Sequence, residues 1–264
     1  MTHEASQPTL ESSPASPHGP RAQTFALIDL IAALALRRAT REPAPLSPSS
    51  ALTIELVRRL TANGAISTQD DNHRLPYDEV ERTLYDPIVF KWNAGADPAG
   101  LTDVALAARI QERIKNPGIV DEVVATWRLL AEGELEGYLQ YLLRKHGLPT
   151  YWAISARALA KTWLPELSLA KLRYVVWAAI RAAASTYMCT NGDLDQTRRH
   201  LENALRKRPA WLASEPSVGL AFLPSPEQKV PLTVSTFLRD VANLGTAYWS
   251  APPSVEALAR HSAR

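Results

Sequence analysis

The chain has 264 residues, of which 46% are hydrophobic and 21% charged, and its formal net charge is +2. That is enough apolar material for one large domain or two small ones with a sizeable core, the make-up of an ordinary soluble globular protein. The balance of 29 basic against 27 acidic residues creates no global field toward nucleic acid or an acidic membrane. The single cysteine, Cys189, excludes an intrachain disulfide framework and any multi-cysteine zinc or iron–sulfur site, and it suits a reducing cytoplasm.

Residues 1–22 are rich in Pro, Ser and Thr and poor in large apolar side chains, so they are expected to form a disordered tail. The stretch TFALIDLIAALALRRA (residues 24–39) reads as an amphipathic helix. It lacks the basic leader of a signal sequence, and its Asp29 and its length argue against a membrane span. After a Pro/Ser linker, SALTIELVRRLTANGAIS predicts a helix capped by Ser50, with Leu52, Leu56 and Leu60 on one face and Asn63-Gly64 as its left-handed stop. QDDNHRLP reads as a loop, DEVERTLYD as a short helix and PIVFKW as a strand. That order fits a winged helix and a small helical cap equally well, because neither a recognition helix nor a second wing strand can be read.

From residue 97 onward the pattern is helical, with short Gly- and Pro-bearing connections that suit antiparallel neighbours in a bundle. Helices are expected over 97–116, 120–147 and 151–163, over the run KLRYVVWAAIRAAASTYM (171–188), and over 193–208. Pro216–Pro231 reads as irregular, and TVSTFLRDVANLGTAYW as one last helix before a polar tail. Around 171–188, Leu169, Leu172, Val176, Ile180, Ala183 and Tyr187 share a side, and Val175, Ala179 and Ala182 widen it. A face that wide marks a central bundle helix, while its uninterrupted apolar stretch is far short of the roughly 20 residues that cross a bilayer. Asn191-Gly192 should end it, and Asp193 with Gln196 should open the next helix as a capping box.

Chemistry-bearing candidates are few. Arg173, Trp177 and Arg181 recur at helical spacing, which places one indole between two guanidinium groups. Glu134 interrupts a stripe of Trp127, Leu130, Tyr138 and Tyr141, where a carboxylate must find a partner or take up a proton. Glu134, Arg173, Trp177 and Arg181 are thus the candidate ligand or anion site, although a structural ion pair explains the first two more simply. Gly133 and Gly137 read as a close helix contact. Cys189, at a helix C-terminus, is a poor nucleophile, and His200-Leu201-Glu202 lacks the paired cysteines of a zinc deaminase. Asp70, Asp71 and His73 read as a solvated turn rather than a metal site. In QTRRHLENALRKRPAW, Asp195 with Arg199 and Glu202 with Arg206 should neutralise one another. That leaves Arg198, Lys207 and Arg208 as candidate phosphate-binding residues.

The sequence therefore specifies a mainly α protein: an antiparallel helical bundle with a small N-terminal helical lobe, which carries a short β element or is winged-helix-like. The expected divisions are a tail over 1–22, the lobe over 23–96, the bundle over 97–212, and an irregular Pro-rich segment with a C-terminal helix packing on the bundle over 213–264. The residues favour an intracellular, cytoplasmic, non-enzymatic protein-interaction or regulatory role, with a protein partner and with no cofactor, metal or membrane. The alternatives are a nucleic-acid-binding regulator using residues 51–92 and the basic helix 194–208, and an enzyme or ligand-binding protein centred on Glu134 and Arg173.

Overall fold

The computed structural model of the chain describes residues 25–68, 90–92, 102–214, 221–224 and 229–262. The expected tail over 1–22, the loop and short helix expected between Gln69 and Asp86, and Asp70, Asp71 and His73 lie outside the described residues. Those that are described form a mainly α-helical fold in which the only sheet is a short two-stranded ribbon.

Helix α1 (Leu27–Arg38) is the innermost element, with every side chain from Leu27 to Leu36 buried. It is therefore not amphipathic, as its sequence was read: its apolar residues run all round, so it must be covered on every side. Helices α2 (Ser50–Ala62), α3 (Asp103–Ile114), α4 (Val120–Lys145) and α8 (Leu232–Phe237) supply the cover. The one charge in its buried stretch, Asp29, is fully partnered. Asp29 accepts from Arg59 Nε at 2.7 Å, from Asn63 Nδ2 at 3.1 Å and from the Ala26 N–H at 3.2 Å.

Helix α2 is capped one residue earlier than expected. Ser49 Oγ accepts from the Leu52 N–H at 3.2 Å, and Ser50 is the first helical residue. Gly64 ends it at φ +65°. Strand β1 (Ile66–Thr68) then pairs antiparallel with β2 (Phe90–Trp92) in the register Ile66↔Trp92, Ser67↔Lys91, Thr68↔Phe90. PIVFKW is thus extended over its last three residues, and its partner strand was not read from the sequence.

A 3₁₀ turn (Pro117–Ile119) leads into α4, and another (Thr150–Ile154) leads into α5 (Ser155–Trp163). Helix α6 (Leu169–Cys189) is capped by Ser168 and packs along α7 (Leu194–Ser214), with Asn191 and Gly192 both at positive φ in the turn between them. The Gln196 N–H donates to Asp193 Oδ1 at 2.9 Å, so Asp193 caps α7 as expected. Helix α7 continues past Arg208 through Pro209, which is buried with Leu205 and Leu212. The expected single C-terminal helix is broken. Helix α8 ends in a π turn (Leu238–Ala242), Asn243 and Gly245 take left-handed φ values of 40° and 54°, and a short α9 (Ala247–Ser250) follows. The polar tail then contains α10 (Val255–Ser262).

One hydrophobic cluster runs from Leu27 to Ala257, so residues before and after position 97 share a core. Trp127 of α4 ties in the C-terminal segment: its Nε1–H donates to the Tyr248 carbonyl at 3.2 Å, and the two rings stack with centroids 6.3 Å apart. The linker before α2 is pinned from both sides. The Leu232 and Thr233 N–H groups donate to the Pro45 and Leu46 carbonyls at 2.8 and 2.9 Å, while α4 presses Gly137 against Pro48.

This close approach makes a graded prediction. A Cβ at Gly137 would lie 2.1 Å from the Pro48 carbonyl oxygen, which is fixed backbone, whereas one at Gly133 would meet the movable end of Leu52 at 2.7 Å. Gly137→Ala should cost about 3 kcal/mol or more and Gly133→Ala about 1 kcal/mol in urea denaturation. Equal costs would show that the Pro48 segment yields.

Candidate functional site

Helices α4 and α6 cross so that Glu134 and Arg173 meet inside the core, as their helix faces predicted. The guanidinium Nη1 lies 3.8 Å from Glu134 Oε2, and the side chains are 6% and 5% exposed. Arg173 does not flank Trp177; its Cζ lies 4.2 Å from the centroid of the Tyr138 ring. Tyr141, expected in the same stripe, points outward and is 55% exposed. Burial pushes the Glu134 carboxyl up to about 7, because Arg173 stands beyond hydrogen-bond distance and offsets only part of the desolvation. Burial also lowers the Arg173 pKa against the opposing influence of Glu134. Tyr248 reaches the same region: burial raises its hydroxyl pKa, the Glu134 charge raises it further, and the buried hydroxyl has no hydrogen-bond partner among the described residues.

The other two members of the expected anion site are elsewhere. Trp177 is half-buried at the surface, with Arg181 Cζ 4.8 Å from its ring centroid. Phe222 meets it edge-on at 5.1 Å, and Tyr174 stands beside both. The four candidates therefore split into a core pair and a surface aromatic cluster.

A further buried carboxylate escaped the sequence reading. Glu136 accepts from Ser49 Oγ at 2.6 Å and from Arg157 Nε at 3.1 Å, joining the cap of α2 to α4 and α5. Arg157 also approaches Glu55 at 3.8 Å. Nothing local in the sequence marks these contacts, since Ser49 and Glu136 are 87 residues apart. Beside them, a groove of about 300 Å³ is lined by Ser47, Ser50, Gly137, Gln140, Tyr141 and Arg144, among others.

On α7, Arg198 is not free. It pairs with Glu202 at 2.8 Å, one helical turn along, in place of the expected Glu202–Arg206 pair. Arg206 donates to Asn203 Oδ1 instead. Lys207 is exposed and Arg208 half-buried. The exposed cationic line is therefore Arg199, Arg206 and Lys207, which ends at Trp211. Cys189 is exposed at the end of α6, and no group of three potential metal ligands gathers among the described residues. No helix among them is long and apolar enough to cross a membrane.

The fold and its polar groups define a mainly α-helical protein with a buried carboxylate–guanidinium pair at its centre. No family model, no curated protein and no solved structure matches the chain.

Two outcomes follow for the core pair. In the unfolded chain Glu134 titrates near its ordinary 4.5, and in the folded chain near 7, so the native state binds the extra proton between those values. Stability should therefore fall as pH rises from about 4.5 to 7, by on the order of 3 kcal/mol, relative to Glu134→Gln, which lacks the titration. Parallel pH profiles for the two proteins would refute the shift. At pH 8, Arg173→Met should cost about 3–5 kcal/mol because it strands a buried charge, and at pH 5 it should cost less because Glu134 then takes a proton. Adding Glu134→Leu should recover much of the loss, whereas additive costs in the double-mutant cycle would mean the pair does not interact.

Proposed function

We propose that the protein is an intracellular, non-enzymatic interaction protein that binds a protein partner. One observation carries this reading: Tyr151 and Ile154 are 70% and 69% exposed on an ordered turn. Both lie in the 3₁₀ turn Thr150–Ile154, where residues three apart project from the same edge, so an aromatic and an aliphatic side chain stand together. Single exposed apolar residues are ordinary, whereas two on one edge of a turn begin a contiguous patch. The Arg198–Glu202 ion pair of α7 lies within electrostatic reach of Tyr151, which makes the rim polar. Tyr and Arg are the side chains that most often anchor interfaces. The complementary partner has an apolar pocket with a polar edge.

The alternatives have less support. A general acid or base needs its substrate within hydrogen-bond reach, and Glu134 is enclosed at 6% exposure. A phosphate-binding role for α7 loses Arg198 to its ion pair.

The test places a photo-crosslinking residue at position 154 and, as a control, at exposed Glu112 on α3, in cells that make the protein. We expect a discrete protein adduct from position 154 that disappears with Tyr151→Ser and is missing from position 112. Tyr151→Ser should itself change stability by less than about 0.5 kcal/mol, since the ring is exposed. Nucleic-acid adducts, or the same adducts from both positions, would sink the reading.

A further inference from the structure

We propose that the Tyr174–Trp177–Arg181 face of α6 is a docking site for an extended protein segment that carries an aromatic anchor and an acidic neighbour, and that Phe222 fills the site in cis. The inference rests on the interaction-protein reading, but its test reads Trp177 rather than position 154, so the two failures can be told apart.

Residues 221–224, Ala-Phe-Leu-Pro, lie on α6 without helix or ladder of their own. Their exposure alternates: Ala221 and Leu223 face solvent, whereas Phe222 and Pro224 are half-buried. That period of two is the mark of an extended chain laid along a surface. Phe222 inserts its ring against Trp177 at 5.1 Å and 89°, and against Tyr174 at 5.6 Å and 65°. Its N–H donates to the Ala170 carbonyl at 2.9 Å, near the start of α6. One aromatic anchor and one main-chain hydrogen bond on a rigid helical shelf are the elements by which linear segments are recognised.

The described part of the cis segment supplies no charge to the site. Arg181 is exposed over Trp177 and has no acidic partner within 4 Å among the described residues. Ala-Phe-Leu-Pro brings it none. A partner segment with a carboxylate next to its aromatic residue would satisfy both the shelf and the guanidinium. It must compete with an intramolecular segment whose effective concentration is on the order of millimolar, so the site is weak until the strap is displaced.

The experiment uses the full chain with a synthetic peptide of residues 218–227 (VGLAFLPSPE), and a version with an aspartate on each side of the Ala-Phe-Leu-Pro core. Binding is followed at the Trp177 indole by NMR. Phe222→Ala should bind the peptide at least tenfold more tightly than the unaltered chain, the acidic version more tightly still, and Trp177→Ala in the same background should abolish binding. In the unaltered chain, millimolar peptide should accelerate hydrogen exchange of the Phe222 amide, a readout that survives if Phe222→Ala does not fold. A folded Phe222→Ala chain whose Trp177 ignores both peptides would overturn the proposal, as would unchanged exchange at Phe222. Concentration-dependent dimerisation that Phe222→Ala removes would overturn it too, by giving the shelf to the strap of a second copy.

Discussion

The architecture depends on how one carboxylate is accommodated. Helix α1 is enclosed on all sides, and Asp29 lies within it at 3% exposure. An isolated charge there would be costly, and a buried carboxylate is tolerated only when its lone pairs are filled. Arg59 on α2 and Asn63 at its C-cap, one turn apart, fill them together with the Ala26 N–H. The bond with Asp29 raises the Arg59 pKa, against the desolvation that opposes it. Because a donor on α2 and another at its C-cap must both reach Asp29, α2 has little freedom to rotate or slide on α1. That same register brings Leu52 over Gly133 and Ser49 to Glu136, so the α1–α2 contact sets where α4 can lie.

Glu136 and Glu134, two residues apart on α4, show what decides the state of a buried acid. Glu136 is held by a hydroxyl at 2.6 Å and a guanidinium at 3.1 Å, both donating directly. Glu134 faces a guanidinium too, but at 3.8 Å. An opposite charge without a hydrogen bond leaves the desolvation of the carboxylate poorly compensated, and the proton affinity of Glu134 rises accordingly. Proximity of charge alone therefore says little. Glu136 belongs to the scaffold, whereas Glu134 makes the scaffold responsive to pH near neutrality.

What the sequence disclosed follows from the range of the interactions. The buried face of α6, the left-handed stops at Gly64 and Asn191-Gly192, and the Asp193 cap are all local patterns, and all are present. The meeting of Glu134 and Arg173 was also legible, because a charge placed in an apolar stripe must find its opposite on a facing helix. Choices between equivalent neighbours were not. Ser49 caps in place of Ser50, and Glu202 pairs with Arg198 rather than Arg206, since adjacent turns offer both partners at similar local cost. The break at Asn243–Gly245 had a signal in those two residues, but the apolar periodicity on either side masked it. Long-range contacts such as Ser49–Glu136 and Phe222–Trp177 left no local trace, because they exist only once the helices have docked.

Helix α6 explains why the surface candidates lie where they do. From Leu169 to Ile180 its side chains are buried or half-buried, and beyond Arg181 it emerges until Met188 is 80% exposed. An isolated helical end would fray, but this one is braced along its length by α7 and closed by a turn with two residues at positive φ. Side chains on such a support lose little conformational freedom on binding, so contacts made there are not spent on ordering the site. Trp177 sits at this crossover, with one side against the core and the other open to Phe222 and Arg181. Its position joins a packed support to an open face, a combination that the enclosed Glu134–Arg173 pair lacks.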